Sequence, residues 1–77
     1  MERIQRLAQP KIVEKMVEMQ VEHDLPVEII IGEEKDGLID IICEYELIDY
    51  YAYAWLLNKA IQYFTQFPGE AIMACHD

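Results

Sequence analysis

The sequence predicts an α+β domain in which two helices pack on one face of an antiparallel β-hairpin, in the order α-β-β-α. Three observations carry this expectation. Apolar residues recur at helical spacing through residues 10–23 and again through 50–66. They alternate with polar residues from Leu38 to Leu47. Between two β-branched runs sits the turn sequence Lys35-Asp36-Gly37.

The first helix is read from Pro10. Ile12, Val13, Met16, Val17 and Met19 share one side, and Lys11, Glu14, Lys15, Glu18 and Glu22 share the other. Proline near the first helical position does no harm, because that N–H has no helical partner. Ile4 and Leu7, projected on the same wheel, fall on its charged side. Residues 1–9 are therefore expected as a separate turn of helix or an arm. Pro26 biases Leu25 out of the helical region, so the helix is expected to end near residue 24.

The hairpin spans roughly 27–47. Ile39, Ile41, Cys43, Tyr45 and Leu47 point one way, and Asp40, Ile42, Glu44 and Glu46 the other. Val27, Ile29 and Ile31 supply the inner face of the first strand. For these to share a face with the odd residues of the second strand, paired residue numbers must sum to an even number. A three-residue Lys35-Asp36-Gly37 loop with Gly37 left-handed meets that condition, pairing Glu34 with Leu38, Gly32 with Asp40, Ile30 with Ile42 and Glu28 with Glu44. A two-residue loop slips the register by one.

Asp49 is the expected N-cap of the last helix, which ends at Phe67-Pro68-Gly69. Tyr50, Tyr53, Leu56, Leu57, Ala60, Ile61, Phe64 and Phe67 form its apolar stripe, while Tyr51 and Trp55 fall on the polar side, four residues apart. Ala71 to Cys75 is a candidate short third, edge strand at the C-terminus, or a packed extension. The chain of 77 residues reads as one small domain with no internal repeat.

Charge restricts the function classes. Fifteen acids against six bases give a net charge of −9, which argues against direct nucleic-acid or anionic-membrane binding and fits a basic protein partner. Residues 18–49 hold eleven acids and one base, Lys35. The outer hairpin face, with Glu28, Glu34, Asp40, Glu44 and Glu46, is the candidate docking surface for a row of Lys and Arg; a solvated face that serves solubility is the plain alternative. Ile30 and Ile42 sit in the middle of that face, and Tyr51 with Trp55 form a second exposed apolar pair. Apolar clusters rimmed by charge mark interfaces. Since a domain of this size buries only about 60% of its unfolded surface, a homodimer is expected.

No catalytic, cofactor or metal motif is present. Cys75-His76-Asp77 and His23-Asp24 hold metal-competent types without ligand spacing. Cys43 is expected on the buried strand face, where a thiol behaves as a small hydrophobe. The surface carboxylates lack a concave pocket to shift their pKa values, so catalysis is not expected. The opening "MERIQRLAQP" has no apolar signal region and no run approaches the ~20 apolar residues of a membrane span, so a cytosolic protein with reduced thiols is expected.

In size and charge the chain resembles phage-encoded inhibitors of host defence, the anti-CRISPR and antirestriction proteins, a likeness that extends to no motif and carries over no residue. It implies an inhibitor that occupies the basic groove of a host nucleic-acid-binding protein as a phosphate mimic. The competing expectation is a homo-oligomeric structural or regulatory protein without catalytic activity.

Overall fold

The structure, a computed structural model, describes residues 1–66, with side chains through Tyr63. The elements run β1 (Glu2–Ala8), α1 (Pro10–Glu22), β2 (Glu28–Lys35), β3 (Leu38–Tyr45), a 3-10 turn (Leu47–Asp49) and α2 (Tyr50–Gln66). The class is α+β, but the expected α-β-β-α arrangement on a two-stranded sheet is overturned. The sheet has three antiparallel strands in the order β1-β3-β2, and the chain order is β-α-β-β-α. The candidate third strand at 71–75 lies outside the described residues.

Residues 1–9 are the reason for the difference. They are neither a helical turn nor an arm: Glu2–Ala8 pairs along the whole of β3, from Glu2 opposite Tyr45 to Ala8 opposite Ile39. Read with a period of two, Ile4, Arg6 and Ala8 face inward and Arg3, Gln5 and Leu7 outward. An arginine at an inward position hides that alternation. Arg6 is tolerated there because its Nε donates to the Tyr53 hydroxyl at 2.6 Å, while its guanidinium lies 6.0 Å from the centre of the same ring.

Pro10 opens α1, with Gln9 in extended geometry as N-cap. The helix stops before proline has to act. Asp24 takes a left-handed φ of 48°, the Leu25 N–H reaches the Gln20 carbonyl at 3.0 Å, and the Asp24 N–H reaches that of Val21 at 3.3 Å. This is a Schellman ending with Asp where glycine is usual. The Gln20 side chain adds a bond to the Leu25 carbonyl at 3.0 Å.

In the hairpin the pairing of Glu28 with Glu44 and of Ile30 with Ile42 is as the alternation requires. The loop is not. Lys35 pairs with Leu38, which leaves a two-residue turn with φ of 56° at Asp36 and 82° at Gly37. Positive φ at both central positions is the twist-matched hairpin turn favoured by Asp-Gly. The odd residue demanded by parity sits instead in β2, where the register shifts between Ile31 and Glu34 so that Gly32 and Glu33 oppose Asp40. A Cβ on Gly32 would stand 3.0 Å from the Asp40 carbonyl oxygen, and glycine is what allows that approach.

Both helices cover the inner sheet face. Ile41, Cys43 and Tyr45 of the central strand are buried with Ala8, Val27, Ile12, Val13, Met16 and Met19 on one side and Tyr53, Leu56 and Ala60 on the other. Fully burying a side chain such as Ile41 or Leu56 stabilises the fold by about 1.5–3 kcal/mol. Asp49, expected as the N-cap of α2, closes the 3-10 turn, its N–H bonding the Glu46 carbonyl at 2.7 Å. Leu47, expected on the inner face, is carried outward by that turn and is exposed.

Candidate functional site

The outer sheet face is built by three strands rather than two, and this changes its electrostatics. Across it run the rows Arg3–Glu44–Glu28 and Gln5–Ile42–Ile30, followed by Leu7 beside Asp40. Arg3 Nε lies 3.5 Å from Glu44 Oε2, and Gln5 Nε2 donates to both carboxylate oxygens of Asp40 at 2.9 Å. The repulsion expected between Glu28 and Glu44 is therefore offset from the β1 side. Ile42, flanked by Gln5 and Ile30, is half-buried. Asp40, Ile42 and Glu44 belong to the centre of a sheet and are engaged within the chain.

What remains open is the edge strand β2. Its burial is slight along its length, with Ile30 37% and Ile31 54% exposed beside Glu28, Glu33 and Glu34. Glu46 lies just past the end of β3. It borders, with Glu28, Glu44 and Asp49, an open hollow of about 550 Å³ whose apolar lining includes Val17, Val27, Ile29 and Tyr45.

Tyr51 and Trp55 are not part of this surface. Both belong to α2, in the layer that covers the opposite face of the sheet. Tyr51 is 82% exposed, whereas Trp55 packs edge-on against the His23 ring at 5.1 Å, joining the end of α1 to the middle of α2. The candidate residues thus divide between two separate surfaces. On the helical side, a groove of about 300 Å³ between α1 and α2 is lined by Lys15, Met19, His23, Trp55, Lys59 and Tyr63. Lys15 Nζ sits 4.2 Å from the centre of the Tyr63 ring and donates to Glu18 at 2.7 Å. That carboxylate raises the Lys15 pKa above its ordinary value and holds the ammonium charged.

Two features escape the sequence reading. Leu47 and Ile48 are strongly exposed beside Tyr50 and Tyr51 because the 3-10 turn breaks the strand there, whereas alternation carried past residue 45 assigns Leu47 inward. The cationic groove joins Lys15 and Lys59, 44 positions apart on two helices, and its only sequence signal is their placement on polar helix faces. Cys43 is fully buried on the inner face of β3. Among the described residues no cluster of His, Cys, Asp or Glu converges as for a metal ion, and no helix is long and apolar enough to cross a membrane. Cys75, His76 and Asp77 lie outside the described residues. Comparison with protein families, with curated proteins and with solved structures gave no match, so function is read from these surfaces alone.

Proposed function

We propose that the chain is a protein-binding domain that captures a basic segment of a partner along the free edge of β2. The observation that supports this is the composition of that edge: Ile30 and Ile31 exposed between Glu28 on one side and Glu33 and Glu34 on the other, on a strand that among the described residues pairs on one side only, with β3. An extended partner segment adds a strand by main-chain hydrogen bonds, and its Lys or Arg side chains meet the glutamates. The carboxylates accelerate encounter and the isoleucines supply the part that excludes water. Binding rather than catalysis is the activity. Where the basic segment is one that normally holds nucleic acid, capture displaces the nucleic acid and the chain acts as an inhibitor. Asp40 and Glu44, held by Gln5 and Arg3, support the edge rather than face the partner.

A peptide of alternating Lys and Val tests this directly, with an alternating Glu and Val peptide as control. Amide shifts confined to Glu28–Lys35 and abolished by Glu33→Lys/Glu34→Lys are expected for the basic peptide. Equal binding of both peptides, or shifts confined to the helices, would remove the reading. Capture from the native host, released by salt and lost in the same variant, then identifies the partner.

A second reading, a self-associating structural or regulatory protein, draws on Leu47, Ile48 and Tyr51, which are 70%, 86% and 82% exposed at one corner of the molecule. Large exposed apolar clusters mark association surfaces.

A further inference from the structure

The groove between α1 and α2 stands out in a chain of net charge −9. Two of its six bases, Lys15 and Lys59, and one of its two histidines border a single aromatic floor formed by Trp55 and Tyr63. The acids that face it are Glu18, bonded to Lys15, and Glu22, 3.4 Å from His23. Lys59 forms no ion pair with any described residue. Cationic groups around exposed aromatic rings accept an aliphatic side chain with a carboxylate close by.

We propose that this groove receives the β2 edge of a second copy of the chain, in a reciprocal two-fold dimer in which each copy gives its edge and takes its partner's. The inference rests on the reading of β2 as a docking strand. Charge complementarity selects the occupant. Two β2 edges side by side would bring together two strands that each carry Glu28, Glu33 and Glu34 against a single lysine, Lys35, so direct edge-to-edge pairing is disfavoured. Against the groove, the same strand brings Ile31 to Trp55 and Tyr63 and its glutamates to Lys59 and Lys15. Because every copy carries both halves, a two-fold arrangement makes the contact twice and closes the assembly. A stable interface takes about 800 Å² from each copy. The chain exposes 5214 Å² and leaves Ile30, Ile31 and Trp55 on the surfaces concerned. In this dimer the β2 edge is covered, so a basic partner and a second copy compete for it.

Sedimentation equilibrium of the purified chain at micromolar concentration tests the proposal. Lys59→Glu combined with Lys15→Gln is chosen because the milder change at Lys15 spares the helix a further acid beside Glu18. A dimer is expected whose dissociation constant rises roughly tenfold or more in this variant and also rises with salt. The variant keeps β2 intact, so it still captures the Lys-Val peptide. Loss of self-association with peptide capture retained separates the two readings. Glu33→Lys/Glu34→Lys is likewise expected to be monomeric alone. Mixing it with the Lys15→Gln/Lys59→Glu chain is expected to restore heterodimers, since one groove–edge contact then joins lysines on the edge to a glutamate in the groove. A wild-type chain that remains monomeric, a dimer unchanged by the groove substitutions, or a mixture in which both folded variants stay monomeric overturns it.

Discussion

Arg6 Nε donates to the Tyr53 hydroxyl at 2.6 Å, and the Tyr53 ring stacks on Tyr45 at 4.8 Å between centroids, 11° from parallel. One chain of contacts thus ties the edge strand β1 to α2 across the central strand. A hydrogen bond from a charged group is worth about 1.5–3 kcal/mol. Tyr53→Phe keeps the stack and loses the bond, and is expected to lower stability by about 1.5 kcal/mol, at the low end because Arg6 is only half-buried. Arg6→Met is expected to be coupled to it, so the double variant costs less than the sum by about 1 kcal/mol. Urea unfolding of the four chains measures this, and strict additivity would show that the contact contributes nothing.

Gly32 and Gly37 serve different needs. At Gly37 the φ of 82° is the constraint, and a Cβ there meets nothing within 4 Å. At Gly32 the constraint is the Asp40 carbonyl, 3.0 Å from where a Cβ would stand. Gly37→Ala is expected to cost about 1 kcal/mol through backbone strain alone. Gly32→Ala is expected to cost about 1–2 kcal/mol, because backbone of the central strand must shift and overpacking carries a penalty of that order. Amide hydrogen exchange checks the mechanism: Gly32→Ala should speed exchange around Asp40 in β3, whereas Gly37→Ala should loosen only the turn.

These two glycines also show how far the fold was legible. Alternation in Leu38–Tyr45 fixed which residues share a face, and with it the pairing of Glu28 with Glu44 and Ile30 with Ile42. The parity condition was sound, but it does not say where the odd residue goes. Asp36 and Gly37 satisfy a two-residue turn by themselves, so the irregularity moves into β2, where Gly32 can pass close to Asp40. β1 was illegible for a chemical reason. A half-buried arginine breaks the apolar alternation of Ile4 and Ala8, and its partner, Tyr53, lies 47 residues away. The candidate site inherited that omission. Without β1, Asp40 and Glu44 read as open acids; with it, Gln5 and Arg3 engage them and the open surface moves to β2.

Alkaline pH is expected to destabilise the chain through its buried tyrosines. Burial raises the pKa of Tyr45, and of Tyr53 more than the Arg6 bond lowers it. The folded state therefore holds these protons more tightly than the unfolded one. Their contribution is complete below the ordinary tyrosine value near 10 and is lost as pH rises through the higher folded values. The urea midpoint should fall across that window, with phenolate absorbance appearing late. Tyr45→Phe should flatten the fall, and a slope unchanged by that substitution would assign the effect to other groups.

The strongest expectation concerns β1 as a whole. Arg3→Glu removes one ion pair whose Arg3 side chain is 65% exposed, and such pairs are worth about 0.2–1 kcal/mol at most. Deleting residues 1–8 is different in kind. It takes Ala8, which is fully buried, and Ile4 from the core, and it removes the Arg6 bond to Tyr53. It also strips the hydrogen-bonded partner from one whole side of β3. The uncovered edge carries Leu38, Ile39, Ile41 and Ile42 beside Asp40 and Glu44, without the bulge and the adjacent glutamates Glu33 and Glu34 that guard β2. The two-stranded sheet left behind keeps the cover of two helices, which a lone hairpin needs, but its core has lost Ala8 and Ile4 and its central strand has become an edge. The shortened chain is expected to lose its cooperative urea transition and its near-UV circular dichroism, and to scatter light as β3 edges pair. Arg3→Glu should keep all three properties close to those of the full chain. A shortened chain that stays monomeric with an unchanged urea midpoint would mean that β3 needs no cover on that side, and that β1 is an addition to the fold rather than one of its walls.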